Sequence, residues 1–341
     1  MIIILKPQAT ETDANEILDK ISSLGLKPLY MPGIERTVLG ALGDERVLSQ
    51  LHLDSYPMVD EIKPVLSPYK LVSRELQAHD SIITIGSDNG GVKIGGNNFT
   101  VIAGPCSVES EAQLFGVTEM IKSHGVPLLR GGAFKPRTSP YSFQGLGVEG
   151  LKLLKAAKNK YGLPVVSEII DPIDAELMHD YVDCFQIGAR NMQNYRLLEA
   201  VGKQDKPVLL KRGMSATIEE LLLAAEYITN SGNTNVILCE RGIRTFETAT
   251  RNTLDLNAVA YLKEKSHLPV LVDPSHGTGV KSLINPLSRA AVAVGADGII
   301  VEAHLNPKVA LSDGHQALTA DDFAQLMADI KPFVAAAGKT L

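Results

Sequence analysis

Eight short apolar runs beyond residue 100 each end in, or run straight into, a side chain capable of chemistry. TVIAGPC reaches Cys106, PLLRGGAFK carries Arg130 and Lys135, PVVSE ends in Glu168, and CFQIGAR ends in Arg190. PVLLK ends in Lys211, VILCER in Arg241, PVLVDPSH in His276 and GIIVE in Glu302. Cys106, His276 and Glu302, with Asp313 in the stretch after the last run, offer one sulfur, one nitrogen and two carboxylates. That mixture is borderline in softness and suits one divalent ion such as Mn, Fe, Co or Zn rather than Mg or Ca alone. Spacing alone leaves a structural role open, because the four lie far apart along the chain and a solitary Cys is often a small core hydrophobe.

The cations form the stronger pattern. Arg130, Lys135 and Arg137 lie within RGGAFKPRTSPYSFQG, and Arg190, Lys211 and Arg241 end three later runs. Positive charge at strand ends is costly unless it meets anions. Arginine forks and lysine point charges together suit phosphate and carboxylate groups. Pairing with Glu168, Glu240 or Asp273 inside the fold absorbs one or two of these cations. The surplus favours a substrate with more than one anionic group.

These endings meet only if the fold gathers them. The apolar runs alternate with helical segments such as SEAQLFGVTEMIKSHG, GVEGLKLLKAAKNKYG and TIEELLLAAEYITNSG, which close in glycine as helix C-termini tend to. Strands alternating with helices imply a parallel sheet, and eight such units match an α/β fold, the closed (β/α)8 TIM barrel of about 250 residues. Residues at the carboxyl ends of its strands share one face. The competing doubly wound sheet places a glycine-rich loop straight after its first strand, whereas GLGVEG at 145 to 150 follows a long loop and reads as a chance match.

Ahead of the barrel, IIIL, a helical stretch around 11 to 24, LKPLYM, ERTVLGALG, a short helix around 44 to 51, and MVDEIK give the order of a small ferredoxin-like α+β module. LSPYKLVSREL reads as a linker with a helical turn. SIITIG and GVKIGGN flank the turn-forming SDNGG, a hairpin at about 82 to 95 and a candidate floor for the barrel. The expected divisions are residues 1 to 70 for the module, 71 to 81 for the linker and 82 to 341 for the hairpin and barrel.

Composition sets the frame. The chain has 341 residues, 45% hydrophobic and 21% charged, enough for one large core and a small second domain of a soluble enzyme. No apolar stretch approaches the roughly 18 residues of a membrane span, and MIIIL breaks at once into KPQATETD, so a cytoplasmic location is expected. Three cysteines, an odd number, argue for a reducing compartment, with Cys184 and Cys239 read as buried small hydrophobes. A net charge of -6 argues against nucleic acid, while a local cationic cleft suits a small polyanion.

GPCSVES, LLRGGAFKPRTSPYSFQGLG, QIGARNMQN, LLKRGM, ILCERGIRTF, VDPSHGTG and GIIVEAHLNPKVALSDGHQAL together resemble the 3-deoxy-D-arabino-heptulosonate 7-phosphate (DAHP) synthases. The likeness is to the branch whose barrel is shared with the 3-deoxy-octulosonate 8-phosphate synthases, and it covers about residues 82 to 337. The amino-terminal module resembles the ferredoxin-like regulatory domain of some members. The resemblance implies a metal-dependent condensation of phosphoenolpyruvate (PEP) with erythrose 4-phosphate, opening the shikimate route to aromatic amino acids.

It further implies that Cys106, His276, Glu302 and Asp313 hold the divalent metal. Arg190, Lys211 and Arg241 match positions that hold the phosphate of PEP, with Arg130 and Lys135 near its carboxylate and reacting end. Glu168 matches an acidic residue near that phosphate and the water, which either Glu168 or the metal orients. Arg137 and Thr138, in KPRT, match binders of the phosphate on erythrose 4-phosphate; the octulosonate enzymes resemble KANRSS there and take arabinose 5-phosphate. Lys135 is the expected proton donor or shuttle, its pKa free to fall among neighbouring cations. The alternatives are an octulosonate-type synthase and a non-catalytic phosphosugar-binding regulator. For the amino-terminal module the resemblance implies tyrosine or phenylalanine as a feedback effector, against a packing or oligomer-forming role. For the whole chain it implies a homotetramer.

Overall fold

The computed structural model describes residues 1 to 341 except 34–35, 44–46, 48–50, 54–55, 64–66, 88–89 and 138. The chain forms two compact units, Met1–Ala78 and His79–Leu341.

In the first unit, strands β1 (Ile2–Leu5), β2 (Lys27–Met31), β3 (Val38–Leu42) and β4 (Val59–Lys63) form one antiparallel sheet in the order β2-β3-β1-β4. The helix Glu11–Ser23 starts where Thr10 and Asp13 satisfy each other's backbone N–H groups in a capping box. Its Ala14, Ile17 and Ile21 recur at helical spacing and pack on Ile3, Leu5, Leu39 and Ala41. This is the expected ferredoxin-like α+β arrangement. The helix expected around 44 to 51 falls almost wholly outside the described residues. The helical turn expected in the linker is present, with Leu76 N and Gln77 N both donating to Ser73 O, at 3.1 and 3.2 Å.

In the second unit every one of the eight apolar runs is a strand: β7 (Thr100–Gly104), β8 (Leu128–Arg130), β9 (Val165–Ile169), β10 (Cys184–Ile187), β11 (Val208–Lys211), β12 (Val236–Glu240), β13 (Val270–Val272) and β14 (Gly298–Glu302). They pair in parallel, and β14 returns to β7 to close the barrel. Strands covered on both faces read as continuous apolar runs rather than alternating ones, and the strands are buried along their whole length. Three helices fall where the sequence places them, at Glu111–Ser123, Val148–Tyr161 and Ile218–Asn230.

β5 (Ile83–Ile85) and β6 (Val92–Ile94) form the expected antiparallel hairpin, though part of its turn lies outside the described residues. Ile83, Ile85 and Ile94 join Ile102, Leu128, Val166, Cys184, Leu209, Ile237, Cys239, Leu271 and Ile300 in one apolar cluster inside the barrel. The hairpin is therefore the floor, and Cys184 and Cys239 are core residues whose thiols burial pushes up. Truncating this floor with Ile85→Ala is expected to lower the unfolding free energy by about 2–5 kcal/mol. Urea titration reads the loss.

The floor also fixes the mouth. Side chains alternate across a strand, so the residue two positions beyond each floor residue again points inward. From Leu128 that step reaches Arg130, from Val166 Glu168, from Cys184 Gln186, from Leu209 Lys211, from Leu271 Asp273 and from Ile300 Glu302. One period carries these six strands from packing to chemistry.

Candidate active site

At the barrel mouth, ligand atoms of Cys106, Glu302 and Asp313 all lie within 4.8 Å of one another. The Cys106 Sγ is 3.4 Å from Asp313 Oδ2, and His276 Nε2 is 3.3 Å from Glu302 Oε1. The four residues singled out in the sequence therefore converge. His276 is not on a strand but in the short helix Pro274–Thr278, whose N-cap, Asp273, accepts from the His276 N–H at 2.9 Å. Asp273 also takes the His276 Nδ1–H at 2.7 Å and Lys211 Nζ at 2.6 Å. A carboxylate on Nδ1 fixes the tautomer that leaves Nε2 as a ligand atom. Sulfur, imidazole and two carboxylates gathered this closely fit a divalent ion of the Mn, Fe, Co or Zn kind.

The charges around this cluster are tuned by their neighbours. Burial acts to raise Glu302, but His276, Arg130 and Lys135 outweigh it and hold the carboxyl well below its usual range. Arg130 Nη1 donates to Glu302 Oε1 at 2.6 Å, and both side chains are almost fully buried. Burial, then Glu302, pushes the Cys106 thiol up to about 12. Asp313 is held low: burial and Glu302 raise it, and His276 and Arg251 prevail. Its backbone sits at φ 51°, the left-handed region that a non-glycine residue enters only when its surroundings hold it there.

Beside the cluster opens a cavity of about 250 Å³ lined by Arg130, Lys135, Arg137, Arg190, Lys211, Arg241, Arg244 and Arg251, with Glu168 and Asp313 as its carboxylates. Lys211 pairs with Asp273 and Arg130 with Glu302, so two of the six cations expected at the mouth are neutralised within the fold. Among the described residues, Lys135, Arg137, Arg190, Arg241 and Arg244 have no carboxylate within 4 Å, and the buried Arg130 Nε has no acceptor. Such a surplus of cations without carboxylate partners suits a small molecule with several anionic groups.

Several expectations need correction. Lys135 is raised, not lowered: burial acts to lower it, but Cys106, Glu168 and Glu302 outweigh burial and Arg130. Glu240 does not pair with a mouth cation. It faces away from the barrel axis and holds Arg212 at 2.9 Å, which also pairs with Asp255 at 2.9 Å. Thr138 lies outside the described residues. Gln186, Arg244 and Arg251 line the cavity although the sequence did not single them out. For Gln186 the two-residue step from the floor was the available signal.

The glycines of GLGVEG serve packing. A Cβ on Gly145 would fall 2.2 Å from Ala133 O, which binds the motif to the loop that carries Lys135. Gly188, at the end of β10, has a functional neighbour: a Cβ there would sit 1.9 Å from Glu168 Oε1. Gly188→Ala is therefore expected to displace Glu168 and cut turnover by about 10–100-fold, while the melting temperature moves by only a few degrees. Steady-state rates beside a thermal melt check this.

A model of the DAHP synthetase I family matches residues 77–334, and one of the DAHP synthase ferredoxin-like domain matches residues 1–67. The chain belongs to the DAHP synthetase I family. Phospho-2-dehydro-3-deoxyheptonate aldolase of Thermotoga maritima is 53% identical over 338 residues, 99% of each chain. The crystal structure of a DAHP synthase from that organism superposes with a TM-score of 0.78 over 99% of this chain and 98% of its own, at 52% identity. A 2-dehydro-3-deoxyphosphooctonate aldolase of Syntrophotalea carbinolica is 32% identical over 258 residues, 70% of this chain and 92% of its own. The heptulosonate relative covers 99% of this chain and the octulosonate relative 70%. No helix among the described residues is long and apolar enough to cross a membrane.

Proposed function

We propose that this chain is a DAHP synthase, joining carbon 3 of PEP to the aldehyde carbon of erythrose 4-phosphate with uptake of water and release of phosphate. The observation that carries this is one barrel mouth holding both a sulfur–imidazole–carboxylate cluster and a cavity lined by eight cations. Cys106, His276, Glu302 and Asp313 hold the divalent ion. When bound, the ion supplies Lewis-acid polarisation of the aldehyde. The intact donor set speaks against a non-catalytic regulator.

The chain's own residues do the rest. Arg190, Lys211 and Arg241 grip the PEP phosphate, and Arg130 with Lys135 orients its carboxylate and reacting end, bringing carbon 3 to the aldehyde of the second substrate. As the carbon–carbon bond forms, the aldehyde π pair moves to oxygen and takes up a proton. Lys135 Nζ, 2.9 Å from Cys106 O, supplies it. The raised pKa keeps this amine charged at neutral pH, the form a donor needs. Glu168 is 8% exposed with no cation within 4 Å among the described residues, and it orients the water that adds to carbon 2. The proton released by that water replaces the one Lys135 gave, and the resulting hemiketal loses its phosphate by carbon–oxygen cleavage, its hydroxyl proton passing to the phosphate as the carbonyl forms.

KPRT assigns the second substrate. Arg137 donates to Ser312 Oγ at 2.6 Å and to Phe143 O at 3.1 Å and lines the cavity, which supports reading it, with Thr138 of the same motif, as a binder of the phosphate on erythrose 4-phosphate. The assay is a direct comparison of aldoses. The expected kcat/KM with erythrose 4-phosphate exceeds that with arabinose 5-phosphate by at least about 100-fold, the scale of a misplaced buried charge. Equal or reversed preference selects the octulosonate alternative.

The ferredoxin-like unit supports a regulatory role for the first domain. Residues 1 to 70 form a domain that binds tyrosine or phenylalanine as a feedback effector, 71 to 81 link it to the barrel, and the chain assembles as a homotetramer in the cytoplasm, where its three free cysteines stay reduced. Inhibition by either amino acid in the full chain, and its loss in a chain starting at Ser81, is the expected pattern.

A further inference from the structure

Gln316 is fully buried and makes two side-chain hydrogen bonds that join the carboxylates of the donor cluster. Its Nε2 donates to Glu302 Oε2 at 2.7 Å, and its Oε1 accepts from Arg251 Nη1 at 3.0 Å. The other arm of that guanidinium, Nη2, donates to Asp313 Oδ1 at 3.2 Å. A carboxylate only accepts and a guanidinium only donates, so the amide has one orientation that satisfies both neighbours. Glu302, Gln316, Arg251 and Asp313 thus form a chain of three hydrogen bonds behind the cluster.

We propose that Gln316, anchored by Arg251, is a positioning residue for the divalent ion: it fixes the Glu302 carboxylate plane relative to Asp313. The inference rests on the metal reading above and deepens it. The requirement for an amide follows from charge. Arg130 already offsets Glu302 on Oε1, so a second cation on Oε2 would oppose an incoming divalent ion, and a carboxylate there would repel Glu302. A neutral group with both a donor and an acceptor orients the ligand without taking its charge. The link also spans elements that nothing else among these side chains joins: β14, the 3-10 turn Gly314–Gln316, and the stretch after β12 that carries Arg251.

The test titrates Mn2+ alone into the metal-stripped full chain by calorimetry, with Gln316→Met, which keeps the length and volume of the side chain. Affinity is expected to fall by about 10–100-fold, the usual loss when a ligand's supporting partner is removed. The melting temperature of the metal-free chain should stay near that of the parent, and the visible spectrum of the Co2+ form should change. A merely structural role would move the melting temperature and leave the Mn2+ affinity alone. Gln316→Asn, a smaller and still polar change that cannot reach both partners, gives the same expected weakening and guards against misfolding of the first variant. Parent affinity in both Gln316 variants, with Mn2+ binding lost in Glu302→Ala, overturns this inference alone. Parent affinity in Glu302→Ala as well overturns the metal reading beneath it.

Discussion

Cys106→Ala is expected to lower the turnover of PEP and erythrose 4-phosphate by about 10³-fold, equivalent to roughly 4 kcal/mol of lost transition-state stabilisation. The sulfur is the only soft donor of the cluster, and Cys106 is 4% exposed. Removing it leaves imidazole and carboxylates, a set that holds Mn, Fe, Co and Zn less tightly. The fold should survive, because deleting one sulfur from a mouth residue leaves a small void while the floor cluster is untouched. In the metal-free chain burial and Glu302 keep the group a neutral thiol, which donates to Asp313 Oδ2 at 3.4 Å. Ion binding must therefore expel that proton, and the ligand is then a thiolate. Cys106→Ser, which retains a weak oxygen donor, should fall between the parent and the alanine variant. Parent-like rates from Cys106→Ala that chelators do not reduce would remove the thiol from the mechanism.

The second large effect is expected at Lys135. Lys135→Met should reduce kcat by about 10²–10⁴-fold, the usual worth of a positioned proton donor. KM for PEP should rise by a smaller factor, since Arg130, Arg190, Lys211 and Arg241 still line the cavity. Lys135→Arg should not restore the rate, because a guanidinium keeps its proton. The direction of the lysine shift matters here. Held above its ordinary value by Cys106, Glu168 and Glu302 against burial, the amine is a donor at neutral pH and not a base. A variant whose defect lay entirely in KM would make Lys135 a binding residue alone.

How much of this was legible follows from what each element shows to a reader of the chain. The barrel strands were clear because both faces of a parallel sheet are buried, so VILCE, GIIVE and VVSEI stand out as continuous apolar runs. The residues at their ends were clear because a charge beside such a run needs a reason. Gln186 was missed since it is neutral and inside a strand, although Cys184 lies two positions before it on the same face. Arg251 and Gln316 were missed for a different reason. They sit in irregular segments with no periodicity, and only the closing of the barrel brings the stretch after β12 against the loop after β14. Glu240 was named as a partner for the mouth cations, but the inward position on that strand belongs to Cys239, so Glu240 points outward to Arg212. The sign of the Lys135 shift depended on counting carboxylates as well as cations around it, and their positions are a product of the fold.

The most direct measurement is phosphate release from PEP and erythrose 4-phosphate by the purified full chain, run as prepared, after chelation, and after Mn2+ is added back. Steady release that requires both substrates, collapses on chelation and returns with the ion is expected. Release that persists undiminished in excess chelator, or no release in any of the three conditions, would contradict the proposed function.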